Sequence, residues 1–344
     1  MKTLNTNIQY LMEDYSVTGL SIATIDDGTI SSTECFGLLE AETDKSVKSN
    51  SIFSACSISK FLTSLLVMKL TEQRILDLDE NVNEKLTSWK VPHSELNKNK
   101  KVTLRNLLSH QSGIMDPEGS FLELNSRIDP PSIVEILEGR TPYCKEPIEI
   151  KYEPGSTFEY SDAGFCIIQL LIEDVTGKPF NEVMNEHIFL PLNMENSTFE
   201  LPTSEVTNYF SCGHHKNGKL VNGKFPIYPY PAASGLWSTP KDLALLVIEV
   251  MNSLNGESKL ELSVSKAMEV INPQGCKEWT GLGVFLDKTD KGIEISSLGW
   301  GVGFQCMMVA YPYLKTGLVV MTNTDLGVHQ LKGIIGKVYN AYPF

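Results

Sequence analysis

The stretch SIFSACSISKFLTSLLVMKL, residues 51–70, is where the chain changes period. Up to Cys56 it reads as extended. From about Ile58 onward, Leu62, Leu65, Leu66 and Leu70 recur on one helical face. Working back toward the start, residues 17–37 (VTGLSIATIDDGTISSTECFG) place apolar stretches on either side of Asp26-Asp27-Gly28, the pattern of a strand hairpin. Working forward, helical patterning returns around 103–109, 132–138, 163–175 and 179–187, between loops marked by Pro117, Gly119, Pro130, Pro131, Pro154 and Gly155. Strand-like segments follow at 282–286, 293–297, 304–311 and 316–322, with helices near 240–253 and 328–341. Strands at both ends and helices between them predict an α+β fold, an antiparallel sheet completed by both termini and flanked by helices. The expected division is a sheet domain from 1–57 and 206–344, a mainly helical domain at 58–205, and an active site between them.

The 344 residues suffice for a sizeable core, and a formal net charge of −13 argues against nucleic acid or an anionic membrane as partner. A small-molecule or peptide substrate fits better. The seven cysteines (35, 56, 144, 166, 212, 276 and 306) are odd in number and lack a C-x-x-C pair, so they read as buried, reduced thiols. Residues 1–15 lack the features of a signal peptide, and no stretch approaches membrane-spanning length. The expectation is therefore a cytoplasmic chain, unless an export signal has been trimmed away. No cofactor is implied, and the oligomeric state stays open.

Ser57-Ile58-Ser59-Lys60 has S-x-x-K spacing, which on a helix puts serine and lysine on one face, where a neutral amine can take the hydroxyl proton. The spacing recurs at Ser238–Lys241 and Ser263–Lys266. Ser238 or Thr239, ahead of Pro240 and an apolar run, reads as a helix cap, and Ser263 with Lys266 as a solvated helix face. Ser57 differs because it lies at a junction between strand-like and helical segments. There its own N–H is an unpaired helix-start donor and the helix dipole favours a developing oxyanion, although capping is the plainer role for a serine at that position.

Order and context add to this. SIFSACSISK (51–60), LLSHQSGI (107–114), YEPGSTFEYSDAGF (152–165), FLPLNME (189–195), ASGLWSTPKDLA (233–244) and SLGWGVGFQ (297–305) occur in sequence. Together they resemble the serine β-lactamase and penicillin-binding protein superfamily, nearest its class C branch with the related esterases and D-peptidases, over nearly the whole chain. The resemblance implies a β-lactamase/transpeptidase-like fold and acylation of Ser57, with Lys60 and Tyr160 moving protons. It places the oxyanion hole at the backbone N–H groups of Ser57 and Trp300, on a strand where Gly299 lets substrate approach. Two positions depart from the family pattern. Asp162 replaces the usual asparagine of Tyr-x-Asn, and by pairing with Lys60 it would hold the lysine protonated and shift the base role toward Tyr160. Ser297 replaces the usual lysine or histidine of the third motif, which removes a charge that helps bind a substrate carboxylate.

The function so predicted is a serine acyl hydrolase acting on β-lactams, D-amino-acid peptides or amides, or esters. The alternative is a catalytically impaired penicillin-binding receptor that is acylated or binds ligand without efficient turnover. No G-x-S-x-G elbow supports an α/β-hydrolase. Adjacent His214-His215 lack the spacing for a helical metal site and read as a solvated loop, while His110 is expected to organise its own loop.

Overall fold

The computed structural model describes residues 7–123, 130–200 and 208–344, so the expected boundary at 205–206 lies outside the described residues. The six-stranded sheet is built from β1 (Gly19–Asp26), β2 (Thr29–Gly37), β3 (Phe285–Thr289), β4 (Gly292–Gly301), β5 (Phe304–Tyr311) and β6 (Thr316–Thr322), in the order β2-β1-β6-β5-β4-β3. Every neighbouring pair is antiparallel. The β1–β2 hairpin closes through Asp27 and Gly28, both at positive φ, where Asp and Gly are tolerated and the turn's twist matches that of the strands.

β1 is buried along nearly its whole length because both sheet faces are covered. Ala23 and Ile25 face the larger core, on the side where the helix Pro240–Leu254 packs. Leu20 and Ile22 pack with Ile8 and Met12 of the N-terminal helix and with Ile334, Ile335 and Val338 of the C-terminal helix. The predicted α+β architecture is therefore present, its sheet drawn from residues 19–37 and 285–322.

The helix Ser59–Glu72 is buried around its circumference, rather than along the single leucine face that the spacing suggests. Its polar residues find partners: Thr63 Oγ1 donates to Ala232 O at 2.9 Å and Ser64 Oγ to Leu282 O at 2.7 Å. The strand expected over 282–286 begins only at Phe285, because Gly281 and Gly283 serve another purpose. Gly283 sits at φ +72° so close to this helix that a Cβ would fall 2.7 Å from that of Ser64. Residues 52–56 supply only the short strand Phe53–Ser54, paired with Trp237–Ser238. The C-terminal segment opens with a 3₁₀ turn at Gln330–Lys332 before its helix, Ile334–Ala341.

Ser263 is exposed, in keeping with a solvated helix face, and it also caps the helix Val264–Ile271, accepting from Lys266 N at 3.3 Å. Two smaller expectations need correction. His214 is buried in a short strand beside Thr324, with Nδ1 against Asn323 O (2.9 Å) and Nε2 accepting from Ala41 N (3.0 Å), so it is a structural residue and only His215 is exposed. Among the cysteines, Cys276 is exposed and Cys35 half-buried, while the other five are buried. Thr239, by contrast, caps the helix at Pro240 as its sequence context suggests, accepting from Asp242 N at 3.1 Å.

Candidate active site

Ser57 sits in a 3₁₀ turn, Cys56–Ile58, that feeds directly into the helix Ser59–Glu72, and its side chain caps neither element. Cys56 reverses the chain there at φ +47°, a costly conformation for a side chain with a Cβ and one that concentrates at functional sites. One helical turn on, Lys60 is 2 % exposed, and its Nζ meets Ser57 Oγ at 3.2 Å, Ala233 O at 2.9 Å and Asp162 Oδ1 at 2.5 Å. These three partners use all three N–H groups of an ammonium. Burial works against the charge on Lys60, but the facing Asp162 carboxylate, followed by Tyr160, outweighs it and holds the pKa above the ordinary lysine value. In the resting site Lys60 is thus a cation that donates to Ser57.

Tyr160 lies with its ring centroid 4.8 Å from Lys60 Nζ, close enough that Lys60 and the Ser57 hydroxyl both pull its pKa down. The largest effect, removal of the phenol from water, acts the other way together with the charge of Asp162, and the net direction is upward. The Tyr160 ring also stacks on His110, at 4.3 Å between centroids and 28° between planes. His110 Nδ1 accepts from Ser161 N at 3.2 Å, which leaves the ring proton on Nε2. Burial, and then the Lys60 charge, push its pKa down to about 3, so it stays neutral.

On the far side, β4 runs against the Ser57 turn. A Cβ on Gly299 would fall 2.4 Å from Ala55 O, and one on Gly301 would fall 2.8 Å from Cys56 Sγ. These glycines are required by close packing of strand on turn, with Trp300 between them in sequence. Strand alternation turns the Trp300 indole away, where Nε1 donates to Asp325 Oδ1 at 2.8 Å. Ser297, two positions before Gly299 on the same face, lines the cleft in front of Ser57 together with Lys60, Leu108, Tyr160, Thr280 and Phe285. The cleft is narrow, ≈ 20 Å³, room for about one water. A larger groove of ≈ 790 Å³ lies elsewhere, where Arg105 is tied to Asp79 and Glu269, and it contains none of the candidate residues.

The structure thus brings Ser57, Lys60, Tyr160, Asp162, Ser297 and Gly299 into one neighbourhood from three separate stretches of chain. Asp116 and the Ala233 carbonyl belong to the same neighbourhood and were not singled out from the sequence. Asp116 stands just past LLSHQSGI and before Pro117, where an aspartate reads as an ordinary turn residue. A backbone carbonyl carries no sequence signal at all.

A sheet covered by helices on both faces, with a serine and a buried lysine at the start of a central helix, is the fold of β-lactamases and transpeptidases. The Beta-lactamase family model matches residues 4–333, and the chain belongs to that family. Protein flp of Staphylococcus aureus (strain MW2) is 26 % identical over 245 residues, covering 69 % of this chain and 44 % of the relative. Penicillin-binding protein 4* of Bacillus subtilis (strain 168) is 29 % identical over 198 residues, 56 % of this chain and 40 % of the relative. The chain therefore spans less than half the length of these curated relatives. Among solved structures, the octameric penicillin-binding protein homologue from Pyrococcus abyssi superimposes with a TM-score of 0.78 at 23 % identity, covering 97 % of this chain and 75 % of that one. No helix among the described residues is long and apolar enough to cross a membrane.

Proposed function

We propose that this chain is a serine acyl hydrolase working through an acyl-Ser57 intermediate, and that among β-lactams, D-amino-acid amides and esters it favours substrates without a carboxylate beside the scissile bond. The observation that carries the reading is Lys60 Nζ at 3.2 Å from Ser57 Oγ in a cleft that Tyr160 also lines. The active form lacks one proton from the Lys60–Tyr160 pair. That pair accepts the Ser57 proton as Oγ bonds to the carbonyl carbon, and it returns the proton to the leaving group as the second bond breaks. Water then attacks the acyl carbon and gives a proton to the same pair, which passes that proton to Ser57 Oγ as the acyl–Oγ bond breaks. The N–H groups of Ser57 and Trp300 stabilise the oxyanion in both steps.

The substrate preference rests on the cleft's lining. Among the described lining residues, Leu108, Val284, Phe285 and Leu298 are apolar, Ser109, Thr280 and Ser297 are uncharged, and the one lysine is Lys60, whose donors are engaged. The ion pair with Asp162 also favours a second reading, a receptor that acylates and deacylates slowly, because it disfavours the proton-poor form.

The test compares kcat/KM for p-nitrophenyl acetate and p-nitrophenyl hemisuccinate in wild type and Ser297→His. The neutral ester should be preferred by wild type, and the added imidazole should raise the relative rate on the charged ester about tenfold. Equal effects on both esters would contradict the charge argument. Acylation without product release would favour the receptor.

A further inference from the structure

We propose that Asp116 is a positioning residue for this site, its half-buried carboxylate fixing the junction at residues 159–163 from which Tyr160 reaches Ser57 and Asp162 reaches Lys60. The inference rests on the acyl-Ser57 reading above. Asp116 Oδ1 accepts from Ser161 Oγ at 2.7 Å and Ala163 N at 3.0 Å, and Oδ2 accepts from Asp162 N at 2.7 Å. Ser161 Oγ, oriented by that donation, accepts in turn from Gly164 N at 3.0 Å and caps the helix Asp162–Thr176. His110 completes the grip: its carbonyl accepts from Glu159 N at 2.8 Å and its Nδ1 from Ser161 N at 3.2 Å. The backbone donors of residues 159, 161, 162 and 163 thus all end on residues 110 and 116.

The gripping segment is itself held. Gln111, buried, donates to Gln274 O at 2.8 Å and accepts from Cys276 N at 2.8 Å. The Gly113 carbonyl accepts from Lys151 N at 2.7 Å. A displacement at Asp116 therefore passes to Tyr160 and Asp162 instead of being absorbed by the loop.

The carboxylate form is specifically required. In Asp116→Asn the amide nitrogen must take the place of one oxygen. The position with the single partner then sets an N–H donor against the Asp162 N–H, while the other oxygen keeps Ser161 and Ala163. Protonating Asp116 has the same consequence. Burial first, and then the Asp162 charge, push its pKa up to about 6 against the pull of its donors. The titratable groups that face it are Asp162, Cys144 and Cys166.

The experiment measures p-nitrophenyl acetate hydrolysis against pH in wild type and Asp116→Asn, together with the amide shifts of Asp162 and Ala163 by NMR. Wild-type kcat should fall as pH drops through about 6. Asp116→Asn should lose kcat on the order of 100-fold with KM little changed, and should lose that acid limb. The Asp162 and Ala163 amide shifts should titrate with the same midpoint in wild type and not in the variant. A variant that keeps the wild-type kcat and acid limb overturns the proposal. If Asp116→Asn does not fold, the wild-type amides decide, and shifts that stay flat from about pH 5 to 7 overturn it. Because the NMR readout needs no turnover, absence of Ser57-dependent hydrolysis in wild type would count against the hydrolase reading and leave the positioning role to the amide titration.

Discussion

Replacing Gly299 by alanine tests whether the edge of the sheet and the Ser57 turn form one rigid unit. The added methyl would lie 2.3 Å from Cys306 Sγ, 2.4 Å from Ala55 O and 3.2 Å from the Cys56 Cβ. Ordinary contacts are about 3.5–4 Å, so the strand or the turn must yield by roughly 1 Å. None of the three neighbours has an easy retreat: Cys306 is buried and its thiol donates to Ala55 O at 3.1 Å, and Ala55 N is bonded to Leu236 O at 2.8 Å. Overpacking of this kind costs about 1–3 kcal/mol, which in a chain of this size lowers Tm by about 1–4 °C. The effect on acylation should be larger, because a shift of about 1 Å between the Trp300 N–H and Ser57 costs on the order of 100-fold in rate. Near-UV circular dichroism melts give the first quantity, and the rate of Ser57 modification by a fluorophosphonate, followed by intact mass, gives the second. A variant with unchanged Tm and a labelling rate within about twofold of wild type would refute the packing argument.

Asp162→Asn should leave the Lys60 ammonium buried without its counter-charge and destabilise the protein by about 3–5 kcal/mol in urea at pH 7. In wild type the raised Lys60 pKa contributes stability present below the unfolded value of about 10.4 and lost as pH rises through the folded value. In the variant, burial alone lowers the pKa, so the deficit should narrow toward pH 10; a constant deficit would argue against the pairing. His110→Gln addresses the opposite sign. A neutral buried imidazole contributes stability that is present above about pH 6.5 and lost as pH falls toward its folded value of about 3. Between pH 7 and 4.5 the wild type should therefore lose about 2–3 kcal/mol relative to the glutamine variant in urea unfolding, and parallel losses would show that the folded imidazole takes a proton freely.

Much of the fold was legible because its signals are local. The Asp26-Asp27-Gly28 turn between apolar stretches and the helical run after Ile58 each depend on neighbours in sequence. Legibility ended where packing overrides local pattern. Gly281 and Gly283 displaced the start of β3 because Gly281 presses on Val270 O and Gly283 on the helix Ser59–Glu72, and His214 is buried because Ala41 and Asn323, far away in the chain, supply partners for both its nitrogens. The same division holds at the site. Ser57 and Lys60 lie one turn apart, and their spacing, shared with Ser238–Lys241 and Ser263–Lys266, was singled out by the strand-to-helix junction and the ordered segments around it. Asp116 acts through backbone N–H groups some 45 residues downstream, a relation that no linear pattern encodes. Gly299 was read for what substrate needs, whereas in the structure it is fixed by contact with Ala55 and Cys56.

The central claim is a covalent acyl-Ser57 intermediate, and intact-mass spectrometry tests it most directly. Wild type and Ser57→Ala are mixed with p-nitrophenyl acetate, quenched in acid over a time course, and weighed while nitrophenolate is followed in the same samples. The account predicts a transient acetyl adduct, mapped to Ser57, that decays as product accumulates, with neither adduct nor catalysed release in a folded Ser57→Ala protein. Product formed at the wild-type rate by Ser57→Ala, or an adduct located on another residue, would contradict it.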